Sequence, residues 1–434
     1  MDKMADVLGR AGAWCGQNKY LSAIKNAFQN FMPLTIAGAI GVLWCNVLVN
    51  ESTGLGLFFK PIMALDFLNP AFQAVNFCTI SCITVGITLG IAQEIGVWNM
   101  GAERAGYIPG LVGLAAWLSV TNTSHMVDGA KEAFTGVAGN ELGATGLFTG
   151  MIIGVLSVEL FCFFEKQDAL KIKMPEQVPP GVARAFEVLV PATITLIITA
   201  CIGSACYNLT GLYLNDVIKN GVQGPLGAVG ATVPGVMIIY LVIMLFWLVG
   251  IHGNNMLSAV KEALFTPLAL ENVEKFNKGE KPTNIINMYA LQMWGEFGGS
   301  GVTIGLVIAI MIFGKREDNK AIATLSLVPG LFNINETVTF GIPMVLNPIL
   351  GIPFVVAPLI TIIIGYVLTV IGFCPVACLT VPWTTPPIVF GFLACGANVM
   401  GAVTQAILIV VSTVIYVPFL ISYEKYQNKQ AAEV

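Results

Sequence analysis

Residues 327–348, LVPGLFNINETVTFGIPMVLNP, are apolar enough for a membrane interior, yet they carry the carboxylate of Glu336 beside the amides of Asn333 and Asn335. The prolines and glycines of this stretch interrupt a regular helix and free backbone N–H and C=O groups. A bilayer core has no water to satisfy these groups or the carboxylate. We therefore predict that the stretch is re-entrant and lines a polar cavity walled by protein.

The composition of the whole chain also indicates a membrane protein. The chain is 56% hydrophobic and 11% charged, with a mean hydropathy of +0.79, whereas an average soluble domain has roughly 25% charged residues. The net charge of −4 is scattered and forms no basic patch, which argues against nucleic acid as a partner. The ten cysteines lie mostly in apolar runs without histidine nearby, so we predict small buried side chains and neither a metal site nor a cofactor.

Ten apolar stretches are long enough to cross a bilayer, which takes about 20 residues. They run approximately over 28–49, 74–98, 106–121, 143–164, 186–208, 226–251, 290–313, 350–372, 374–395 and 402–423. Residues 1–20 lack the apolar core and cleavage site of a signal peptide and read as an amphipathic surface helix. The predicted fold is all-α and polytopic, with about ten transmembrane helices, re-entrant hairpins and surface amphipathic helices.

Lys and Arg in the short loops predict the orientation of the chain, because these residues concentrate on the cytoplasmic side. They place both termini in the cytoplasm. In the second half the rule conflicts with itself, since basic clusters at 261–281 and 315–320 flank a single apolar run yet both appear cytoplasmic. One element between 252 and 320 is therefore either re-entrant or an extra crossing.

Two polar breaks organise the chain. Residues 165–186 are rich in proline and form a predicted cytoplasmic connector, whereas the break at 209–225 precedes all the unusual polar residues. We predict an N-terminal scaffold and dimerisation domain, 1–215, and a C-terminal substrate-binding domain, 216–434. The small residues Gly86, Gly90 and Ala92 fit either an oligomer contact or ordinary helix packing.

Several polar residues of the C-terminal half are candidates for chemistry. His252 stands between two glycines and is followed by Asn254 and Asn255; it is either a proton-handling group or a helix-packing residue. Trp294 and Glu296 precede a glycine run that lacks the Lys-Ser/Thr of a P-loop. Glu296 is read as a cavity residue or as a carboxylate at its rim.

PWTTPP, residues 382–387, places Trp383 and Thr384 in a turn stiffened by proline. Indole rings stack on the apolar faces of sugars, and hydroxyls and amides bind sugar hydroxyls. Together with Glu336, Asn333 and Asn335, this mixture fits a carbohydrate better than an ion. The alternative for Trp383 is a position in the aromatic belt at the membrane interface.

The stretches FWLVGIHG, FGGSGVTIGL, PGLFNINETVTFGIPMVLNP and PWTTPPIVFGFLACG together resemble enzyme IIC, the membrane subunit of the bacterial sugar phosphotransferase system. The most similar branch is the lactose, cellobiose and diacetylchitobiose group. The resemblance covers essentially the whole chain in the family's order. One departure is that Thr337 follows Glu336 where many members have proline.

This resemblance implies a homodimeric disaccharide permease of the bacterial cell membrane, with two re-entrant hairpins in its C-terminal half. A separate IIB protein, phosphorylated on cysteine with IIA upstream, would donate phosphate to the sugar 6-hydroxyl during uptake, which makes the chain a component of a transport-coupled phosphotransferase. His252 and Glu336 would hold or activate that hydroxyl. The implied sugar contacts are Asn254, Asn255, Trp294, Glu296, Asn333, Asn335, Trp383 and Thr384.

Two other functions use similar residues. An ion-coupled secondary transporter also has broken helices and carboxylates near the membrane midplane, but it releases its sugar unmodified. An intramembrane hydrolase could use Glu336 and His252, although no metal-ligand spacing such as HExxH occurs. The chemical form of the sugar after uptake distinguishes these functions from phosphotransfer.

Overall fold

The computed structural model describes residues 10, 14, 17–51, 56, 59–125, 134–175, 177–225, 230–342, 344–345 and 347–433. Most of the predicted surface helix over 1–20 lies outside these residues. The chain separates into two compact units. The N-terminal unit comprises Gln17–Gly38 and Ala74–Gly227, and the C-terminal unit comprises Met1–Gly16, Ala39–Gln73 and Ala228–Val434.

Helices make up nearly all regular structure in the described residues. The α-helices up to residue 225 are α1 Lys19–Leu43, α2 Asn69–Asn76, α3 Ile83–Met100, α4 Ala102–Ala105, α5 Ile108–Val120, α6 Gly139–Leu142, α7 Ala144–Glu165, α8 Pro180–Thr210 and α9 Leu214–Ile218. Short 3₁₀ or π segments are Trp44–Leu48, Lys60–Leu68, Phe77–Ser81, Asp168–Leu170 and Lys219–Gln223. The two described strands, β1 Ser124–His125 and β2 Phe134–Thr135, pair antiparallel with Ser124 opposite Thr135.

The α-helices after residue 229 carry the polar residues singled out in the sequence. They are α10 Val233–Leu248, α11 Gly253–Met256, α12 Ser258–Asn277, α13 Met288–Gly295, α14 Ile304–Phe313, α15 Glu317–Leu331, α16 Glu336–Gly341, α17 Gly351–Val370, α18 Val389–Ala394 and α19 Val399–Glu433. At the start of α13 the Asn287 side chain caps the helix by accepting hydrogen bonds from the N–H groups of Tyr289 and Ala290.

Membrane-crossing length is reached by five helices in the described residues, namely Lys19–Leu48, Ala144–Glu165, Pro180–Thr210, Gly351–Val370 and Val399–Gln430. A sixth results if Lys60–Ser81 and Ile83–Met100, bent by 41° at their junction, form one span. Shorter apolar helices are Ile108–Val120, Val233–Leu248 and Ile304–Phe313. Each of these overlaps a predicted apolar stretch, and the predicted class, an all-α membrane protein, is confirmed.

Small residues allow close helix packing within the N-terminal unit. Ala92 on α3 is fully buried, and a Cβ on Gly113 of α5 would lie 2.3 Å from its methyl carbon. Gly86 and Gly90 face Phe31 and Ala27 of α1 in the same way. The small-residue face of α3 therefore packs inside the unit, which supports the second of the two sequence interpretations.

The region between 252 and 320 is largely helical and does not form a polar loop. Residues 258–277 form the 20-residue helix α12, and Lys261 near its start is buried. The apolar run 290–313 is broken into α13 and α14 at residues 296–303. Lys261 is thus not a loop charge, and removing it from the count of basic loop residues weakens the conflict in the predicted orientation.

Residues 374–395 form a hairpin and differ in this from the predicted continuous span. The N–H of Cys378 donates to the carbonyl of Ala394 at 2.8 Å, so the two ends of the segment lie side by side. Only its last residues are α-helical, as α18. The physical reason is its proline content, which removes N–H donors and prevents a helix; the prolines are Pro375, Pro382, Pro386 and Pro387.

The stretch around Glu336 forms a second hairpin, from α15 through a turn to α16. Gly341 at the end of α16 lies against Ile322 of α15, so closely that a Cβ at Gly341 would come within 2.8 Å of the Ile322 Cγ2 atom. Asn333 in the turn has a φ of +62°, a conformation that asparagine tolerates better than most residues. This turn is the tip of the hairpin.

Candidate functional site

A cavity of about 590 Å³ lies in the C-terminal unit, where the two hairpin tips meet the break between α13 and α14. This volume is in the range of small-molecule sites, roughly 300–1,000 Å³. Its lining is rich in amides and aromatic rings. The lining residues are His252, Asn254, Asn255, Gln292, Glu296, Phe297, Gly299, Ser300, Asn333, Ile334, Asn335, Glu336, Trp383, Phe390 and Gln405.

Asn333 joins the three broken segments through its side-chain amide. Its Oδ1 atom accepts a hydrogen bond from the N–H of Gly298 at 2.6 Å. Its Nδ2 atom donates to the carbonyl oxygens of Trp383 and Thr385, the latter at 3.2 Å. One amide thereby satisfies backbone groups that the breaks had removed from regular helices.

Asn335 and Asn254 fix the glycine-rich break from two sides. Asn335 is buried and donates from Nδ2 to the carbonyl of Ser300 at 2.7 Å. Asn254 donates from Nδ2 to the Ser300 hydroxyl at 2.9 Å. The backbone of the break between α13 and α14 is therefore fixed at Ser300, and the hydroxyl of Ser300 faces the cavity.

Glu296 is the charged residue in the break between α13 and α14, and two protein donors hold its carboxylate. Its Oε1 atom accepts hydrogen bonds from the ammonium of Lys261 and from the Tyr240 hydroxyl, which is 2.6 Å away. Lys261 also donates to Asn254 Oδ1 at 3.3 Å. Both donors engage the same carboxylate oxygen, so Oε2 is available to a ligand in the cavity.

His252 and Glu336 are neighbours in the lining of the cavity. His252 Nε2 and Glu336 Oε1 are 4.0 Å apart, and both side chains are partly exposed. The imidazole packs on Trp247, with 4.4 Å between ring centroids and 49° between planes. Imidazole and carboxylate are thus near one point without a direct hydrogen bond, since such bonds need about 3.2 Å or less.

The indole of Trp383 is the exposed aromatic surface at the tip of the 374–395 hairpin. Its side chain is 45% exposed although it lines the cavity, and its carbonyl is held by Asn333. The end of this hairpin is fixed by Gln405 of α19, whose Oε1 atom accepts from the N–H groups of Ile388 and Gly391 at 2.7 and 2.8 Å. The aromatic face is therefore carried by a rigid turn.

Of the ten residues predicted for the site, eight line the cavity, namely His252, Asn254, Asn255, Glu296, Asn333, Asn335, Glu336 and Trp383. Thr384, although adjacent to Trp383, is absent from the lining residues. Trp294 is buried and packs against Gly365 of α17, because a Cβ there would lie 2.4 Å from the indole. Trp294 thus belongs to helix packing in this structure.

Sequence reasoning missed Gln292, Gln405 and Lys261. Gln292 lies in the same motif as Glu296, so its position beside that residue was a usable signal. Gln405 stands alone in the apolar run 402–423, and an isolated amide there also indicates an interior role. Lys261 gave no such signal, because lysine near other charges reads as a loop residue.

The arrangement suits a neutral ligand rich in hydroxyl groups. Amides offer donors and acceptors in fixed positions, the carboxylates offer acceptors, and Trp383 and Phe390 offer apolar faces. The pair His252 and Glu336 can bind one hydroxyl and accept its proton. Both features together indicate binding of a carbohydrate and activation of one of its hydroxyls.

Comparison with known proteins agrees with this chemistry. The family model described as phosphotransferase system, EIIC matches residues 25–358. The oligo-beta-mannoside-specific EIIC component of Bacillus subtilis is 32% identical over 98% of this chain and 94% of its own length. The cellobiose-specific EIIC component of Lactococcus lactis is 30% identical, covering 98% of both chains.

A solved structure is similar over the same length. The crystal structure of ChbC, the IIC component of the N,N'-diacetylchitobiose-specific phosphotransferase system, has a TM-score of 0.88, with 29% identity and 97% of both chains covered. The similarity therefore includes both compact units and the hairpins of the C-terminal unit. The chain belongs to the EIIC family of the phosphotransferase system, the membrane-embedded sugar permeases that work with IIA and IIB partner proteins.

Proposed function

We propose that this chain takes up a disaccharide of the cellobiose or diacetylchitobiose type and presents its 6-hydroxyl to the phosphocysteine of a IIB protein. The observation that carries the proposal is the cavity itself, which combines the indole of Trp383, amides held by hydrogen bonds and the pair His252 and Glu336. Relatives of this chain are named for oligo-beta-mannoside, cellobiose and diacetylchitobiose. The volume of about 590 Å³ is sufficient for two sugar rings.

Binding would use the amides and the indole in different ways. Trp383 provides a flat apolar surface for one sugar ring. Asn254, Asn255 and the free oxygen of Glu296 provide hydrogen-bond partners for hydroxyls. Because other protein atoms hold the side chains of Asn254 and Glu296, little freedom of these two side chains is lost on binding, and this favours affinity.

Phosphotransfer would use the pair His252 and Glu336. The sugar oxygen forms a bond to phosphorus while the sulfur–phosphorus bond of the IIB phosphocysteine breaks and the thiolate leaves. The hydroxyl proton must move to a base, and Glu336 is within reach of an oxygen bound at His252. Positioning of that oxygen supplies a further part of the rate enhancement.

The decisive experiment is Glu336→Gln, which keeps the shape of the side chain and removes its basicity. Phosphorylated sugar is measured in vesicles supplied with excess phosphorylated IIB, and sugar binding is measured separately at equilibrium. We expect binding to persist while phosphotransfer falls by about 10²–10⁴-fold, the usual effect of losing a general base. His252→Gln should impair the same step, and the double variant should be far less than additively worse.

A matched control is Glu317→Gln at the start of α15, where the carboxylate is 87% exposed and pairs with Lys320. This variant should transfer phosphate at the wild-type rate. Near-normal phosphotransfer in Glu336→Gln would refute the base role and leave the carboxylate as a binding group. Unmodified sugar as the sole product of the wild type would instead indicate an ion-coupled transporter.

We further propose that residues 216–434 form the substrate-binding domain and residues 1–215 the scaffold and dimerisation domain. All lining residues of the cavity lie after residue 251, which supports the first half of this division. Exposed apolar side chains on α8 are available for an oligomer contact or for lipid. The mass of the detergent-solubilised protein tests the dimer, and a monomer that is active in vesicles would contradict it.

We also propose that both termini are cytoplasmic. The basic residues of the first half support this orientation, since those of the short helix α4 and of residues 165–186 would lie on the same side as the N-terminus. Single cysteines introduced in a cysteine-free variant at Lys171 and Gln430 should both be labelled from the cytoplasm. Labelling of either site from outside in intact cells would contradict the orientation.

A further inference from the structure

His252 is the N-cap of the short helix α11 and uses its side chain for this. Its Nδ1 atom accepts a hydrogen bond from the backbone N–H of Asn255 at 3.2 Å. A neutral imidazole has one nitrogen that donates and one that accepts. This N–H is shared between Nδ1 and the carbonyl of His252, at 3.2 and 3.1 Å. Because the hydrogen of Asn255 points at Nδ1, that nitrogen presents its lone pair and the ring hydrogen is on Nε2.

Building on the function proposed above, we infer that the backbone of Asn255 holds His252 in the Nε2–H tautomer. His252 is then a hydrogen-bond donor to the sugar hydroxyl, and Glu336 is the proton acceptor of the pair. His252 and Glu336 thus have two different roles, which the sequence motifs alone do not distinguish. It also explains why the imidazole is attached to the start of a helix.

The ring has little freedom to exchange its nitrogens. Trp247 packs on one face, with 4.4 Å between centroids. A rotation that exchanged the nitrogens would remove the Nδ1 acceptor and leave the Asn255 N–H with the carbonyl of His252, 3.1 Å away. Protonation of Nδ1 would place two N–H groups against each other at 3.2 Å. Both alternatives lose the hydrogen bond between the Asn255 N–H and Nδ1 and are disfavoured for that reason.

The geometry around Nε2 leaves room for one oxygen atom. Nε2 and Glu336 Oε1 are 4.0 Å apart, too far for a direct hydrogen bond. An oxygen about 2.8 Å from both atoms can accept from Nε2–H and donate its own proton to Glu336. A sugar hydroxyl in this position has its lone pair polarised by the imidazole and its proton directed at the carboxylate.

The placement of the hydroxyl between Nε2 and Glu336 determines where each proton goes during phosphotransfer. The hydroxyl oxygen bonds to phosphorus as the sulfur–phosphorus bond of the IIB phosphocysteine breaks, and the electron pair of that bond leaves with the thiolate. The hydroxyl proton passes to Glu336. His252 keeps its Nε2 proton throughout and stabilises the negative charge that develops on the attacking oxygen.

The tautomer can be observed directly, since the chain has two histidines, His125 and His252. His125 lies on β1 and contacts Phe134, apart from the lining residues of the cavity. In a His125→Gln variant reconstituted in liposomes with ¹⁵N-labelled histidine, magnetic resonance of the ring nitrogens reports on His252 alone. At a pH where the ring is neutral, we expect a protonated Nε2 and an unprotonated Nδ1.

A matched pair of variants tests the cause. Asn255→Ala removes the side-chain amide but keeps the backbone N–H, so the Nε2–H tautomer should persist. Asn255→Pro removes the N–H in the first turn of a helix, where proline is tolerated, and the Nδ1–H form should then appear. Retention of a pure Nε2–H form in a folded Asn255→Pro variant would refute the control by this backbone group.

The outcomes separate this inference from the proposed function. An Nδ1–H tautomer in the unmodified site overturns the inference, even if the vesicles make phosphorylated sugar. An Nε2–H tautomer in a protein that delivers only unmodified sugar supports the assignment of the ring and overturns the proposed phosphotransfer. The wild-type site is measured first, so an Asn255→Pro variant that failed to fold would leave the test of the tautomer intact.

Discussion

Removal of Lys261 should destabilise the protein more than removal of any surface lysine. Its side chain is 7% exposed, and that of its partner Glu296 is 17% exposed. In Lys261→Met, the Glu296 carboxylate would keep only the Tyr240 hydroxyl as a described donor. The variant therefore leaves a charge in the protein interior without a counterion.

The structure sets the size of this effect. Breaking a buried ion pair by removing one partner costs about 3–5 kcal/mol. Glu296 borders the cavity, where water can reach it, so we expect the lower end, about 3 kcal/mol, or roughly a hundredfold in the folding equilibrium. The double variant Lys261→Met/Glu296→Gln removes both charges and should recover much of the loss.

The assay is equilibrium unfolding of the purified protein in mixed micelles, with the four members of the double-mutant cycle compared under one condition. The control is Lys278→Met at the end of the same helix, where the pair with Glu274 is 59% and 40% exposed and, as a solvated pair, contributes little to stability. If Lys261→Met is as stable as Lys278→Met, or if the double variant is the least stable of the set, the reasoning about the buried pair is wrong.

Two further predictions concern the hairpin tips. Trp383→Ala should weaken sugar binding by about 1–3 kcal/mol, by analogy with flat ligands stacked on aromatic side chains. Unchanged affinity in titration calorimetry would favour the alternative position of Trp383, in the aromatic belt at the membrane interface. Asn333→Asp keeps the acceptor for Gly298 but places a carboxylate against the carbonyls of Trp383 and Thr385. Sugar affinity should fall at least tenfold in this variant, and wild-type affinity would show that the amide does not position the indole.

Much of the site could be predicted because a membrane makes polar residues conspicuous. Glu336 with its two asparagines has no reason to occur in an apolar run unless protein surrounds it. Trp383 could be placed for a similar reason, since prolines on both sides exclude a helix at that point. These positions are decided by local chemistry and are therefore visible in the sequence.

Other features depend on packing between distant segments. Trp294 matches the composition of a sugar site, but its indole fills the space beside Gly365, 71 positions later. Lys261 resembles a loop lysine until the fold brings Glu296 to its ammonium. The run 374–395 is apolar enough to cross a bilayer. Its prolines exclude a continuous helix, but the pairing of its two ends into a hairpin rests on contacts between them. Hydropathy is averaged over residues that are neighbours in the sequence, so it carries no information on contacts between distant segments.

The amide of Asn333 also imposes an order on synthesis. Its three backbone partners belong to Gly298, Trp383 and Thr385, so one partner is translated before it and two are translated later. Until residue 385 has emerged from the ribosome, the Nδ2 group lacks these two acceptors. In a ribosome-bound chain the cavity wall is therefore incomplete even after Glu336 has entered the membrane, and the 374–395 hairpin is the segment that closes it.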